Sequence, residues 1–203
     1  MVNSRSYSMN RRKKRYEKIC RFVDLRPEDR ILDIGCGKGY SLEDFNKTNK
    51  IIGLDLHKNQ RIFQENFSYV QGDGADLPFK DKEFDVVICV GVLEHIHPYE
   101  KLVKIANEIR RVGKYYAVIV PHYYTPIEPH FQLPLWQFYP ASLKSFLIKR
   151  FNLGSQLRRP DGNFQRLNYF SREGWLKLFP DAKIASHNHI FFLGRNYVIY
   201  KRK

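Results

Sequence analysis

The chain has 203 residues, 43% apolar and 28% charged, enough to fold as one domain around a sizeable core. Its 35 Lys and Arg against 21 Asp and Glu give a net charge of +14, and its longest nearly apolar run, residues 84–93, is about half a membrane span, which argues against an integral membrane protein. The basic start has no apolar run behind it and so is no secretory signal, while Cys20, Cys36 and Cys89 cannot all pair and show no CxxC spacing. The expectation is a reduced, cytoplasmic protein with no zinc framework and no metal site.

The charge is uneven. Residues 1–26 carry nine basic and two acidic side chains, residues 144–203 carry thirteen and three, and the stretch between is left at −3. A mildly acidic centre suits a ligand that positive charge does not attract. The basic ends serve either a second ligand or a solvated face.

In chain order, residues 10–25 read as an amphipathic helix, with Tyr16, Ile19, Cys20 and Val23 on one face. Residues 30–34 form a short buried strand closed by the glycine run GCGKG, and a helix follows to about residue 48. Strands are expected at 51–55, 68–71, 84–90 and 115–120, with helices at 59–66 and 99–111, the latter turning Leu102, Ile105, Ala106 and Ile109 inward. Such alternation builds a parallel sheet covered on both faces. Residues 122–140 break the pattern: four prolines, six aromatics and no Lys or Arg. A basic amphipathic helix at 141–151, a short helix at 171–179 capped by Ser171, and a hairpin of 183–192 with 197–202 complete a single domain.

Three features converge on one sheet edge. The strand ILDIG runs into Gly35, Gly37 and Gly39, where bare backbone can approach a ligand closely. Asp55 ends the next strand, placed to accept hydrogen bonds from both hydroxyls of a ribose, and Gly72-Asp73-Gly74 follows the third. The glycines read G-x-G-x-G, one residue short of the dinucleotide fingerprint, and Asp33 stands where a pyrophosphate would want no acid. An acid there suits a ligand with an ammonium group and a cationic centre. S-adenosylmethionine has both and no phosphate.

Together ILDIGCGKGY, IIGLDLH, GDGADLPFKDKEFDVVICVGVLEHI and YYAVIVP resemble the class I S-adenosylmethionine-dependent methyltransferases, over roughly residues 30–121. They look closest to the small-molecule branch that includes quinone-biosynthesis enzymes. The resemblance implies a Rossmann-like α/β fold: a mostly parallel seven-stranded sheet, an antiparallel C-terminal hairpin, and helices on both faces. It implies S-adenosyl-L-methionine as cofactor. Asp33, Gly35, Cys36 and Gly37 would face its methionine part, Asp55 its ribose, Leu56, Asp73 and Gly74 its adenine, and the Val90 carbonyl its amino group. Gly74 stands where the family often has Ala. Cys36 is expected to pack inside the loop, since no base lies beside it to make it a nucleophile.

The acceptor is less legible. The stretch after the fourth strand, Val90-Gly-Val-Leu93, lacks the N/D-P-P-aromatic tetrad in which the methyltransferases of adenine and glutamine amino groups resemble one another. His95, His122 and His130 are candidate bases, each balanced against a purely structural role. The insert 122–140, with Tyr123, Tyr124 and Trp136, is expected to be an acceptor lid, the alternatives being a cap on the core or a dimer contact. Behind it, Leu143, Phe146, Leu147 and Phe151 beside Lys144, Lys149 and Arg150 suit a lipid-like acceptor with an anionic group, met at a membrane surface. The competing readings are an RNA methyltransferase that uses the basic termini and a cofactor sensor without transfer. The oligomeric state is left open.

Overall fold

Successive side chains of a strand point to opposite faces, so the apolar run FDVVICV requires cover on both sides. It forms β4 (Phe84–Val90) in mid-sheet, with Val86 and Ile88 in one apolar layer and Val87 and Cys89 in the other. The computed structural model describes residue 17 and residues 19–37, 49–57, 65–128, 130–153, 167–189 and 194–203. The helices expected up to 48 and over 59–66 fall wholly or almost wholly outside these, as does the first part of the 10–25 helix, of which 19–23 are seen as helical.

The remaining elements are β1 (Ile31–Ile34), β2 (Ile51–Asp55), β3 (Phe67–Gln71), α1 (Tyr99–Val112), β5 (Gly113–Pro121), α2 (Ala141–Phe151), α3 (Arg172–Leu178), β6 (Lys183–His189) and β7 (Gly194–Lys201). They build one seven-stranded sheet in the order β3-β2-β1-β4-β5-β7-β6. Strands β1 to β5 are parallel, and β7 inserts antiparallel between β5 and β6. The fold is the one the sequence implied, with β5 longer than expected. Gly113 pairs with Phe84 at one end and Pro121 with Asn196 at the other, so the neighbouring strands extend it.

Helix α1 buries Leu102, Ile105, Ala106, Ile109 and Val112 against one face, where Trp175 and Leu178 of α3 join them. Ile19 and Val23 cover the opposite face. Ser171 caps α3, its hydroxyl accepting from the Gly174 N–H at 3.3 Å. No helix among the described residues is long and apolar enough to cross a membrane.

What positions the site is the reversal of strand order at β1. The chain leaves β1 toward β2 on one side and returns to β4 on the other, so the loops after β1 and β4 diverge and open a crevice at the carboxyl ends of the strands.

Candidate active site

A cleft of about 440 Å³ lies at this crevice, within the size range of small-molecule sites. Its walls are the turn after β1 (Ile34, Gly35), the end of β2 (Leu54 to His57), the β3 loop (Gly72 to Gly74), the β4 loop (Gly91, Val92, His95, Ile96) and the first turns of α1 (Lys101, Ile105).

The β1 turn tolerates only glycine at its first position. Gly35 has φ +74°, and a Cβ there would lie 2.3 Å from Val92 Cγ2. The turn is tied to β2 by the Gly35 N–H, which donates to the Leu54 carbonyl at 2.7 Å, and by the Gly37 N–H, which donates to Asp55 Oδ2 at 2.8 Å. The other carboxylate oxygen of Asp55 accepts from the His57 N–H at 3.0 Å. Among the described residues, these two bonds use two of the four lone-pair positions of Asp55 and hold it rigid. Leu56 follows it, 53% exposed, an apolar platform on the cleft wall.

Asp33 lies beneath the turn, almost fully buried, and its Oδ2 has no hydrogen-bond partner among the described residues. Burial first, then the nearby Asp55 charge, push its carboxyl up from the usual carboxylate range to about 8. Asp73 is the opposite case. Lys101 of α1 bonds its Oδ2 at 2.7 Å, the Ala75 N–H bonds its Oδ1 at 3.0 Å, and the lysine holds its pKa below the usual value despite some burial. Among the described residues of the cleft wall there is one lysine, and its charge is already paired with Asp73.

Of the residues expected to meet the cofactor, Gly35, Asp55, Leu56, Asp73 and Gly74 line the cleft, and Asp33 and Gly37 support it from behind. Cys36 does not line it: its thiol is buried with Phe67 and Ile51, and its N–H also serves the Leu54 carbonyl. Val90 gives way to Gly91 and Val92, because Val90 is still paired in the sheet, opposite Ile119. At Gly74 an added Cβ would sit 3.3 Å from Ile34, tight but adjustable, so glycine relieves crowding there without altering the wall.

The histidines separate. His95, at the end of the 3-10 turn Leu93–His95, lines the cleft, and its pKa is pushed down to about 4 by burial and by His130. His130 stands edge-on to it, ring centroids 5.0 Å apart. Burial opposes the charged form of His130, but the fully buried Glu128 outweighs it and raises its pKa. His122 is elsewhere: its Nδ1 accepts the Tyr124 N–H at 3.0 Å and its ring packs on Tyr197 at 4.1 Å, a loop-fixing role with no place in the cleft wall.

The insert also differs from the simple lid expected. Trp136 stacks on Phe131 at 4.1 Å and is buried with Ile148 of α2, so the segment has a small core of its own and Trp136 does not reach the cleft wall. Tyr123 and Tyr124 pack with Phe138 beside it, and Tyr124 is 60% exposed. The sequence reading missed Lys101, Glu128 and Asn168. Asn168 donates to the Glu94 carbonyl from its backbone and to the Leu93 and Ile96 carbonyls from its side chain, pinning the turn that carries His95. Nothing in its local sequence marks it, because its partners lie more than 70 positions away.

Sequence comparison agrees with the topology. The methyltransferase domain family matches residues 32–120, the stretch that supplies every wall of the cleft. Residues 32–120 thus carry a methyltransferase domain of the class I S-adenosylmethionine-dependent kind. The chain is 35% identical over 130 residues to the uncharacterized protein MJ0638 of Methanocaldococcus jannaschii, covering 61% of this chain and 55% of that protein. It is 34% identical over 99 residues to the fatty-acid O-methyltransferase of Mycolicibacterium smegmatis, covering 43% of this chain and 35% of that one. The chain thus spans about half the length, or less, of these relatives. Among solved structures, magnesium protoporphyrin IX methyltransferase from Synechocystis with bound SAH is similar in fold, with a TM-score of 0.58 at 16% identity over 98% of this chain and 87% of that one.

The methyltransferase cofactor is S-adenosyl-L-methionine, and the residues present suit it. Asp33, whose buried Oδ2 has no hydrogen-bond partner among the described residues, would meet the cationic amino acid from just behind the wall, Asp55 would hold the ribose, and Leu56 and Asp73, both in the wall, would take the adenine ring.

Proposed function

We propose that this methyltransferase acts on an oxygen or carbon atom of a small, lipid-like acceptor. The observation that carries the reading is where the chain leaves apolar surface uncovered. Of the eight large apolar side chains that stand exposed among the described residues, six lie between residues 124 and 151. They are Tyr124, Leu135 and Phe138 of the insert and Leu143, Phe146 and Phe151 of α2, with Lys149 and Arg150 on the same helix. Contiguous sequence that exposes aromatics beside basic side chains suits an acyl or prenyl chain with an anionic head, taken up at a membrane surface. A relative that methylates fatty acids supports the same class.

When bound, the cofactor supplies a methyl group on a sulfonium, which leaves as a neutral thioether. What remains for the protein is positioning and exclusion of water. The Gly35 turn would bring bare backbone against the cofactor, Asp55, held by two amides, would receive its ribose hydroxyls, and Asp33 would meet its cationic amino group. His95 is the imidazole presented at the wall of the β4 loop, on the side of the insert, where the acceptor is expected.

The test is transfer of labelled methyl from S-adenosylmethionine to a panel of fatty acids, prenylated phenols and quinols, with bulk tRNA as a parallel arm. Label in the lipid fraction supports the reading. Label in tRNA, with retention that falls steeply as salt rises, would replace it with the RNA reading that the +14 charge favours.

A further inference from the structure

We infer that Glu94, His95 and His130 form a binding site for a single divalent transition cation of the zinc class at the edge of the cleft. Each of the three offers a ligand atom, and the three atoms lie within 4.8 Å of one another. Two imidazoles and one carboxylate are a donor set that favours such ions over magnesium or calcium, which prefer oxygen alone. Around a tetrahedral zinc, ligand atoms are about 3.3 Å apart, so closing the site requires movements of no more than about 1.5 Å.

The surroundings are those of a built site rather than a chance meeting of side chains. Glu128 is fully buried, and its Oε1 lies 2.6 Å from His130 Nδ1. Its Oε2 accepts the N–H groups of His130 at 2.6 Å and of Phe131 at 2.7 Å, so the carboxylate is fixed before it orients the ring. With Nδ1 committed to Glu128, Nε2 is the nitrogen His130 would bring to a cation, the carboxylate–histidine–metal arrangement that sets tautomer and ring direction. On the other side, the three hydrogen bonds from Asn168 hold the turn that carries Glu94 and His95. Glu94 is itself buried, and His95 reaches the cleft wall, so the ion would sit between protein interior and ligand. Three protein ligands leave a coordination position open, the feature that separates reactive from structural zinc sites. An ion there takes the lone pair of His95, so a cation and a histidine base at this place exclude one another.

Cobalt(II) is the probe, because its visible absorption reports coordination directly. Chelator-stripped full-length protein titrated with Co²⁺ is expected to bind one equivalent with the intense absorption of a four- or five-coordinate site, displaced by Zn²⁺. His95→Gln and His130→Gln should each lose that spectrum, and Glu128→Gln should weaken binding about 10–100-fold. In wild-type protein, Zn²⁺ should shift two histidine ring resonances in nitrogen NMR, an observation that needs no variant to fold. Absence of stoichiometric Co²⁺ binding, binding at millimolar concentration only, or Zn²⁺ shifts spread over other histidines would overturn the site. None of these results bears on methyl transfer, since the readout is occupancy and not turnover.

Discussion

Replacing Asp33 by Asn tests the donor pocket at its most unusual point. The Asp33 carboxyl is raised to about 8 from its ordinary 3.8, chiefly by burial. A raised acid is ionised in the unfolded chain while still neutral in the folded one, so its contribution to stability is full below pH 3.8 and is lost as pH rises to about 8. Each pH unit in that window removes about 1.4 kcal/mol, so between pH 5 and 8 the Asn variant should gain about 4 kcal/mol on the wild type. Denaturant melts of both proteins across that range measure it.

The same carboxyl must lose its proton to meet a cationic amino group. At pH 7 a group titrating at about 8 is roughly nine-tenths protonated, so cofactor binding should release about one proton. Affinity of the wild type should rise nearly tenfold from pH 6 to 7. Calorimetry in buffers of different ionisation enthalpy counts that proton directly, and the Asn variant should bind more weakly, release none and lose the pH dependence. Parallel melting curves would refute the raised Asp33 carboxyl, and equal proton release by both proteins would refute its placement opposite the ammonium group.

Asp55→Ala should cost about 1–3 kcal/mol of cofactor affinity by calorimetry, through loss of charge-assisted hydrogen bonds and of the anchor for the Gly37 amide. Gly35→Ala should lower the melting temperature by several degrees, because the new methyl meets Val92 at 2.3 Å on a left-handed backbone. Adding Val92→Ala should recover part of that loss by removing the clash, but not the backbone strain. Trp136→Ala should open the insert to limited proteolysis, since a buried aromatic stacked on Phe131 contributes about 3–5 kcal/mol, and should leave cofactor affinity unchanged. A loss of cofactor binding would place the insert in the donor pocket instead.

The strands were legible because burial on two faces leaves an unmistakable mark. The run FDVVICV is an inner strand, and the glycine turn that follows β1 lies at the carboxyl ends of the strands, in the cleft wall. The acids Asp33, Asp55 and Asp73 were legible from their spacing against the strand ends, since each sits where a parallel strand delivers its loop. What local pattern could not show was pairing over distance. Lys101 is one more basic residue on an amphipathic helix until the fold brings it 2.7 Å from Asp73. Trp136 looked like a lid aromatic because composition cannot say which way a proline-stiffened segment folds, and it turned inward onto Phe131 and Ile148. His95 and His130 were each marked as candidates, yet nothing in the chain order placed their rings edge-on or set Glu128 behind them.

The most direct test of the central claim is a crystal structure with S-adenosylmethionine soaked or co-crystallised. Its amino group should lie beside the Asp33–Gly37 turn, its ribose hydroxyls on Asp55, and its adenine over Leu56 near Asp73 and Gly74. Density for the ligand anywhere else, or a ribose turned away from Asp55, would contradict that claim.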